Sequence, residues 1–187
     1  ISVASPVTGD YLNAILPSFS FTEDMLEGKI LWTRIEGDDD PDSPHTSTLT
    51  GPELAVGDHP ETALLNLPAL VDGTVYSVTF SGMDFAGNEA QVVFIDRVAY
   101  DVTAPVIIVT GPEPNIYLDE PVISFSVSED LGAGELVWRD LRNSANSQTM
   151  KLSTDLLAAG DHPEVSLSGS VVLSDGSVYS LLFTAVD

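Results

Sequence analysis

The chain repeats itself, and a repeat constrains the fold more than any composition figure, because each copy must close its own core. Tyr11-Leu12 recurs as Tyr117-Leu118, Phe19-Ser20 as Phe125-Ser126, Glu23-Asp24 as Glu129-Asp130 and Trp32 as Trp138, all at an offset of 106. After a gap the register resumes at 103: Gly57-Asp58-His59-Pro60-Glu61 matches Gly160-Asp161-His162-Pro163-Glu164, Val75-Tyr76-Ser77 matches Val178-Tyr179-Ser180, and Asp84 matches Asp187. The three-residue difference falls where copy one has Gly37-Asp38-Asp39-Asp40-Pro41-Asp42-Ser43-Pro44. A polar, proline-containing insertion is what a surface loop tolerates.

The 187 residues therefore divide into two modules, residues 1–103 and 104–187. Copy one continues past Asp84 through Phe85-Ala86-Gly87-Asn88 into a strand-like run from Gln91 to Tyr100, whereas copy two stops at Asp187. With Ile1 rather than Met at the start, the expectation is of two modules cut from a longer array, the second lacking its last strand.

Within each copy, short runs of Val, Ile, Leu, Phe and Tyr alternate with Pro, Gly, Asp and Asn. Ser18-Phe19-Ser20-Phe21-Thr22 and Ser124-Phe125-Ser126-Val127-Ser128 have the two-residue period of a half-buried strand. Lys29 to Arg34, Glu135 to Arg139, Val75 to Phe80 and Val178 to Phe183 read as further strands. A loop or short 3₁₀ segment is expected at Pro52 to Ala55 and at Thr154 to Ala158. About seven strands per 100 residues give an all-β fold: two tandem immunoglobulin-like, Greek-key β-sandwiches. Trp32 and Trp138 take the place of a core tryptophan. Leu70 to Tyr76 and Leu173 to Tyr179 read as tyrosine corners, in which a Tyr near the start of a strand bonds back to the preceding turn.

Charge excludes partners. With 6 Lys+Arg against 29 Asp+Glu the net charge is -23, which repels nucleic-acid phosphates and anionic lipid. The acidity belongs to the repeated unit: residues 1–105 carry 17 acidic and 3 basic side chains, and residues 106–187 carry 12 and 3. No cysteine is present, so disulfides, zinc–thiolate sites and thiol nucleophiles are ruled out. No apolar run approaches a membrane helix, and no basic n-region with an apolar core opens the chain. A Gly-x-Ser-x-Gly elbow and a phosphate-binding glycine loop are both absent, and no carboxylate pair stands out. The expectation is a protein that is not an enzyme.

Asp84-Phe85-Ala86-Gly87-Asn88, followed by Asp101-Val102-Thr103-Ala104-Pro105, resembles the D-x-A-G-N … D-x-T-A-P signature of tandem immunoglobulin-like or fibronectin type III-like repeats of large bacterial surface and secreted proteins. The resemblance covers essentially the whole chain. It implies a non-catalytic structural or adhesive stalk, extracellular or on the cell surface, whose partners are neighbouring repeats of the same chain and a cell-surface protein or glycan. A carbohydrate-binding accessory module of a secreted enzyme is the alternative, and it needs exposed aromatic side chains.

Such repeats often rigidify their junctions with Ca²⁺, which takes six to eight oxygen ligands. In copy two the candidate ligands are Asp101, Glu129, Asp130 and Asp187; in copy one they are Glu23, Asp24, Asp84 and Asn88. The competing reading makes the acids solvated loop residues and Asp84-x-x-Gly-Asn a turn former. His59 and His162 are expected to be structural, His45 exposed, and the run Asp38 to Asp42 a solvated, disordered loop.

Overall fold

The structure is a computed structural model and describes residues 1–186. The chain divides into two compact units, Ile1–Thr103 and Ala104–Asp187. Both are built almost entirely of antiparallel strands.

In the first unit, β1 (Ser2–Ser5), β3 (Ser18–Phe21) and β6 (Gly57–His59) form one sheet in the order β1-β3-β6. β2 (Tyr11–Leu12), β4 (Met25–Gly37), β5 (His45–Leu49), β7 (Thr74–Asp84) and β8 (Val93–Tyr100) form the other, in the order β2-β8-β7-β4-β5. Alternation explains how the sheets meet. Phe19 and Phe21 point inward from β3, Ile30 and Trp32 from β4, and Tyr76, Val78 and Phe80 from β7; together they form one core. Phe19 meets Phe80 across the sheets with ring centroids 6.0 Å apart. That contact makes the unit a sandwich.

The second unit repeats the plan. β9 (Ile107–Gly111), β10 (Val122–Val127) and β13 (Gly160–Ser166) make one sheet, and β11 (Ala133–Asp140), β12 (Gln148–Lys151) and β14 (Tyr179–Val186) the other. Phe125 and Phe183 join the two sheets at 4.9 Å. Trp138 and Leu136 lie deep in this core.

The connecting segments differ in one respect from expectation. Gly51–Leu54 is 3₁₀, but Thr154–Leu157 closes a single α-helical turn, α1. β2 is too short to carry a period; it exists because Tyr11 and Leu12 pair in parallel with Ala99 and Tyr100 of β8. Among the described residues β14 pairs only with β11, and no helix is long and apolar enough to cross a membrane.

Candidate functional site

Of the acids that pattern singled out, Asp24, Asp84, Asp101 and Asp130 each have one oxygen engaged by a backbone N–H group. Asp84 ends β7 and is largely buried. Its Oδ1 accepts the Ala86 and Asn88 backbone N–H groups, each at 2.8 Å, and its Oδ2 accepts the Asn88 side-chain amide at 2.7 Å. These donors, the Asn88 side chain foremost and its backbone N–H next, hold the carboxyl below the ordinary aspartate range against the opposing pull of burial. Asp84 and Asn88 are thus brought together, as the two ends of one closed turn.

Asp24 and Asp130 perform one task in the two units. Asp24 Oδ1 accepts the Val56 N–H at 2.8 Å, and Asp130 Oδ1 accepts the Ala159 N–H at 2.7 Å. Each pins the approach to the repeated Gly-Asp-His-Pro-Glu segment. Glu23 is exposed beside Asp24, and Glu129 is half-buried beside Asp130. Asp101 belongs to the first unit, where its Oδ1 accepts the Thr103 N–H at 3.1 Å. Asp187 lies outside the described residues. Among the described residues no three of His, Asp and Glu converge as a metal-holding group.

The histidines of the repeat are structural. His59 Nε2 bonds the Ala55 carbonyl at 2.8 Å and its ring stacks on Phe19 at 4.9 Å. His162 does the same with Ala158 at 2.9 Å and Phe125 at 4.7 Å. Gly57 and Gly160 precede them at φ of 122° and 120°, and Glu61 and Glu164 follow at 42° and 49°. The stretch recurs because it is backbone hardware that needs these conformations.

The inserted acidic loop overturns two expectations. Asp40 is not solvated and His45 is not exposed. The Asp40 side chain is 1% exposed and that of His45 12%, with Nε2 and Oδ2 2.7 Å apart. The same Oδ2 accepts the Tyr76 hydroxyl at 2.7 Å, and Oδ1 accepts the Asp42 N–H at 3.2 Å. Tyr76 in turn accepts the Val71 N–H at 2.9 Å, closing its corner. Burial pushes the Asp40 carboxyl up, but the Tyr76 hydroxyl and the His45 imidazole outweigh it and hold the group low. Burial, and then the neighbouring carboxylate, push Tyr76 up to about 12.

The second unit, without the insertion, also buries a carboxylate beside the corresponding loop. Asp140, the last residue of β11, is 3% exposed. It accepts the Arg142 N–H at 2.8 Å, the Asn143 N–H at 3.0 Å and the Asn146 amide at 3.2 Å. The first two donors bring it down to about 2. In the first unit the residue aligned with Asp140 is Arg34, and Asp40 of the loop is the carboxylate buried beside Tyr76. Sequence reading missed both aspartates. The usable signal was Asp40-Pro41 followed by His45 near a tyrosine corner, and an Asp ending the tryptophan strand.

Both tryptophans are core residues. Trp32 is 1% and Trp138 3% exposed, and they meet Tyr76 and Tyr179 edge-on at 6.4 and 6.2 Å. Neither offers a face to a sugar. A shallow hollow is lined by Gly28 and Gly82 and edged by Glu27, Lys29 and Glu89. Comparison with protein-family models and with curated proteins finds no match for this chain.

Proposed function

We propose that this chain is a non-catalytic structural and adhesive spacer, two immunoglobulin-like sandwiches in tandem, from a secreted or cell-surface protein of the bacterial repeat type. One observation carries the reading. The polar side chains that recur in both units are spent on holding loops to strands: Asp24 and Asp130, His59 and His162, Tyr76 and Tyr179. A repeat that copies its scaffold and no cleft suits a stalk, in which stability is local to each module. The strand order β1-β3-β6 over β2-β8-β7-β4-β5 supports the immunoglobulin-like assignment. The high acidity keeps such a stalk soluble.

Calcium enters this reading as a rigidifier drawing on the acids at loop ends. With the Asp84 oxygens taken by its own turn, the remaining first-unit candidates are Glu23, Asp24 and Asp101, the two aspartates each with one oxygen on a backbone N–H. A thermal melt of the full chain in millimolar Ca²⁺ against chelator decides this part, since a ligand of the native state must raise the midpoint; equal midpoints remove calcium. The spacer itself is tested by pulling the full chain between two handles on a surface, with and without soluble polysaccharide. Two separate unfolding events, unaffected by the sugar, are expected. Saturable binding on a glycan array would transfer the chain to the carbohydrate-binding alternative.

A further inference from the structure

The second unit shows which exposed positions the repeat fills with small or polar residues. Scattered exposed apolar side chains are normal in a folded chain, but three in the first unit stand where the second has none. Val56, Leu65 and Leu67 are exposed at 55%, 62% for Leu67 and 67% for Leu65. At the offset of 103 their counterparts are Ala159, Ser168 and Ser170, which are exposed as well. The residue before Leu65 is the same in both units: Leu64 and Leu167 are buried and anchor the loop in each core. The scaffold of the repeat is therefore met without these three aliphatic side chains.

The first unit also fastens this loop in a way the second does not. Glu53 is buried. Its Oε2 accepts the Thr50 N–H at 2.7 Å and its Oε1 accepts the Leu65 N–H at 2.8 Å. One carboxylate thus ties the Leu65 loop to the 3₁₀ turn that leads into Val56. Asn66 Nδ2 donates to the Thr48 carbonyl at 2.7 Å. The counterparts of Glu53 and Asn66 are Leu156 and Gly169, whose side chains can make neither bond. Aliphatic side chains on a fastened backbone have less freedom to lose when a partner covers them.

We propose that Val56, Leu65 and Leu67 form a docking surface for a basic amphipathic segment of another protein, one that sets aliphatic side chains beside lysine or arginine. Charge complementarity selects this occupant. From Ile35 to Asp96 the chain contains no lysine or arginine. Asp24 accepts the Val56 N–H at 2.8 Å, and Asp58 and Glu61, on the segment between Val56 and Leu65, are exposed. Lys29, opposite Thr48 on β4, lies 4.0 Å from Glu27. Aliphatic side chains with carboxylates beside them give an apolar centre and a polar rim, the anatomy of a protein interface. A second copy of this chain is the poorer occupant, because it would bring carboxylates against carboxylates. The inference goes beyond the spacer reading and stands without it.

The test titrates the full chain with a synthetic peptide alternating leucine and lysine, with the same peptide carrying glutamate for lysine, and with oligolysine. The double variant Leu65→Ser/Leu67→Ser takes the residues of the second unit at both positions, so its melting midpoint should equal the parent's. The parent should bind the leucine–lysine peptide one-to-one, and the double variant should bind it about tenfold more weakly. Oligolysine should bind both forms alike, through charge alone, and the glutamate peptide should bind neither. Equal affinity of the two forms for the leucine–lysine peptide would overturn the proposal, as would glutamate-peptide binding of the same strength. A lowered midpoint in the double variant would show the leucines packing within the unit and overturn it as well. So would self-association of the parent in sedimentation that the double variant abolishes, which would assign the surface to a second copy.

Discussion

Replacing one hydroxyl in each unit separates the two tyrosine corners. Tyr76→Phe removes an O–H that is fully buried, accepts the Val71 N–H and donates to the carboxylate of Asp40. Hydrogen bonds to charged groups contribute about 1.5–3 kcal/mol, and a half-buried N–H left without its acceptor costs about 1 kcal/mol more. The sum is about 3 kcal/mol. Tyr179→Phe removes one bond, from the exposed Ser174 N–H, which water can replace; the expected loss is under about 1 kcal/mol. For domains of this size each kcal/mol moves the midpoint by about 4–8 °C. The first unit should therefore lose about 12–24 °C and the second at most about 8 °C. Calorimetry of the full chain reads both, with each transition assigned by the single-tryptophan forms Trp32→Phe and Trp138→Phe. A double-mutant cycle with Asp40→Asn should return a coupling of about 1–2 kcal/mol. Equal shifts in the two units, or a neutral Tyr76→Phe, would refute the claim that the insertion delivers a buried carboxylate to Tyr76.

Two further outcomes rest on the same geometry. Gly37 has φ of 80°, and a Cβ there would collide with the Gly73 carbonyl and lie 3.0 Å from Thr74 Cα; Gly37→Ala should cost about 3 kcal/mol in urea unfolding, against about 1 kcal/mol for Gly9→Ala, whose surroundings are open. Asp40, Asp84 and Asp140 all have folded carboxyls held low, so their contribution is present above the ordinary value near 4 and is lost as pH falls through the folded values, down to about 2 for Asp140. Tyr76 is raised to about 12, so its contribution is present below the ordinary value near 10 and is lost as pH rises towards 12. Midpoints measured from pH 2 to pH 12 should fall at both ends, and in Tyr76→Phe the alkaline fall of the first unit should shrink.

Much of the fold was legible because strands are short-range objects. Two-residue alternation around Phe19 and Phe125 already determined which side chains face inward, and the double register of 106 and 103 separated the units and located the inserted loop. The recurrence of the Gly-Asp-His-Pro-Glu segment also marked it as scaffold, and both histidines stack on the phenylalanines of β3 and β10.

What the candidate site does with its acids was not legible, because a carboxylate's partner is set by distance in space. Asp40 and Tyr76 are 36 residues apart in sequence and 2.7 Å apart in the fold. Asp24 finds its N–H donor 32 residues away at Val56. Composition told us that the chain is acidic and that the acidity is repeated; it could not tell a solvated aspartate from a buried one. Only packing the two sheets decided that, because closing the sandwich buries the Tyr76 hydroxyl and partly buries the turn N–H groups beside Asp84 and Asp140, which must be paired, and those carboxylates are the acceptors.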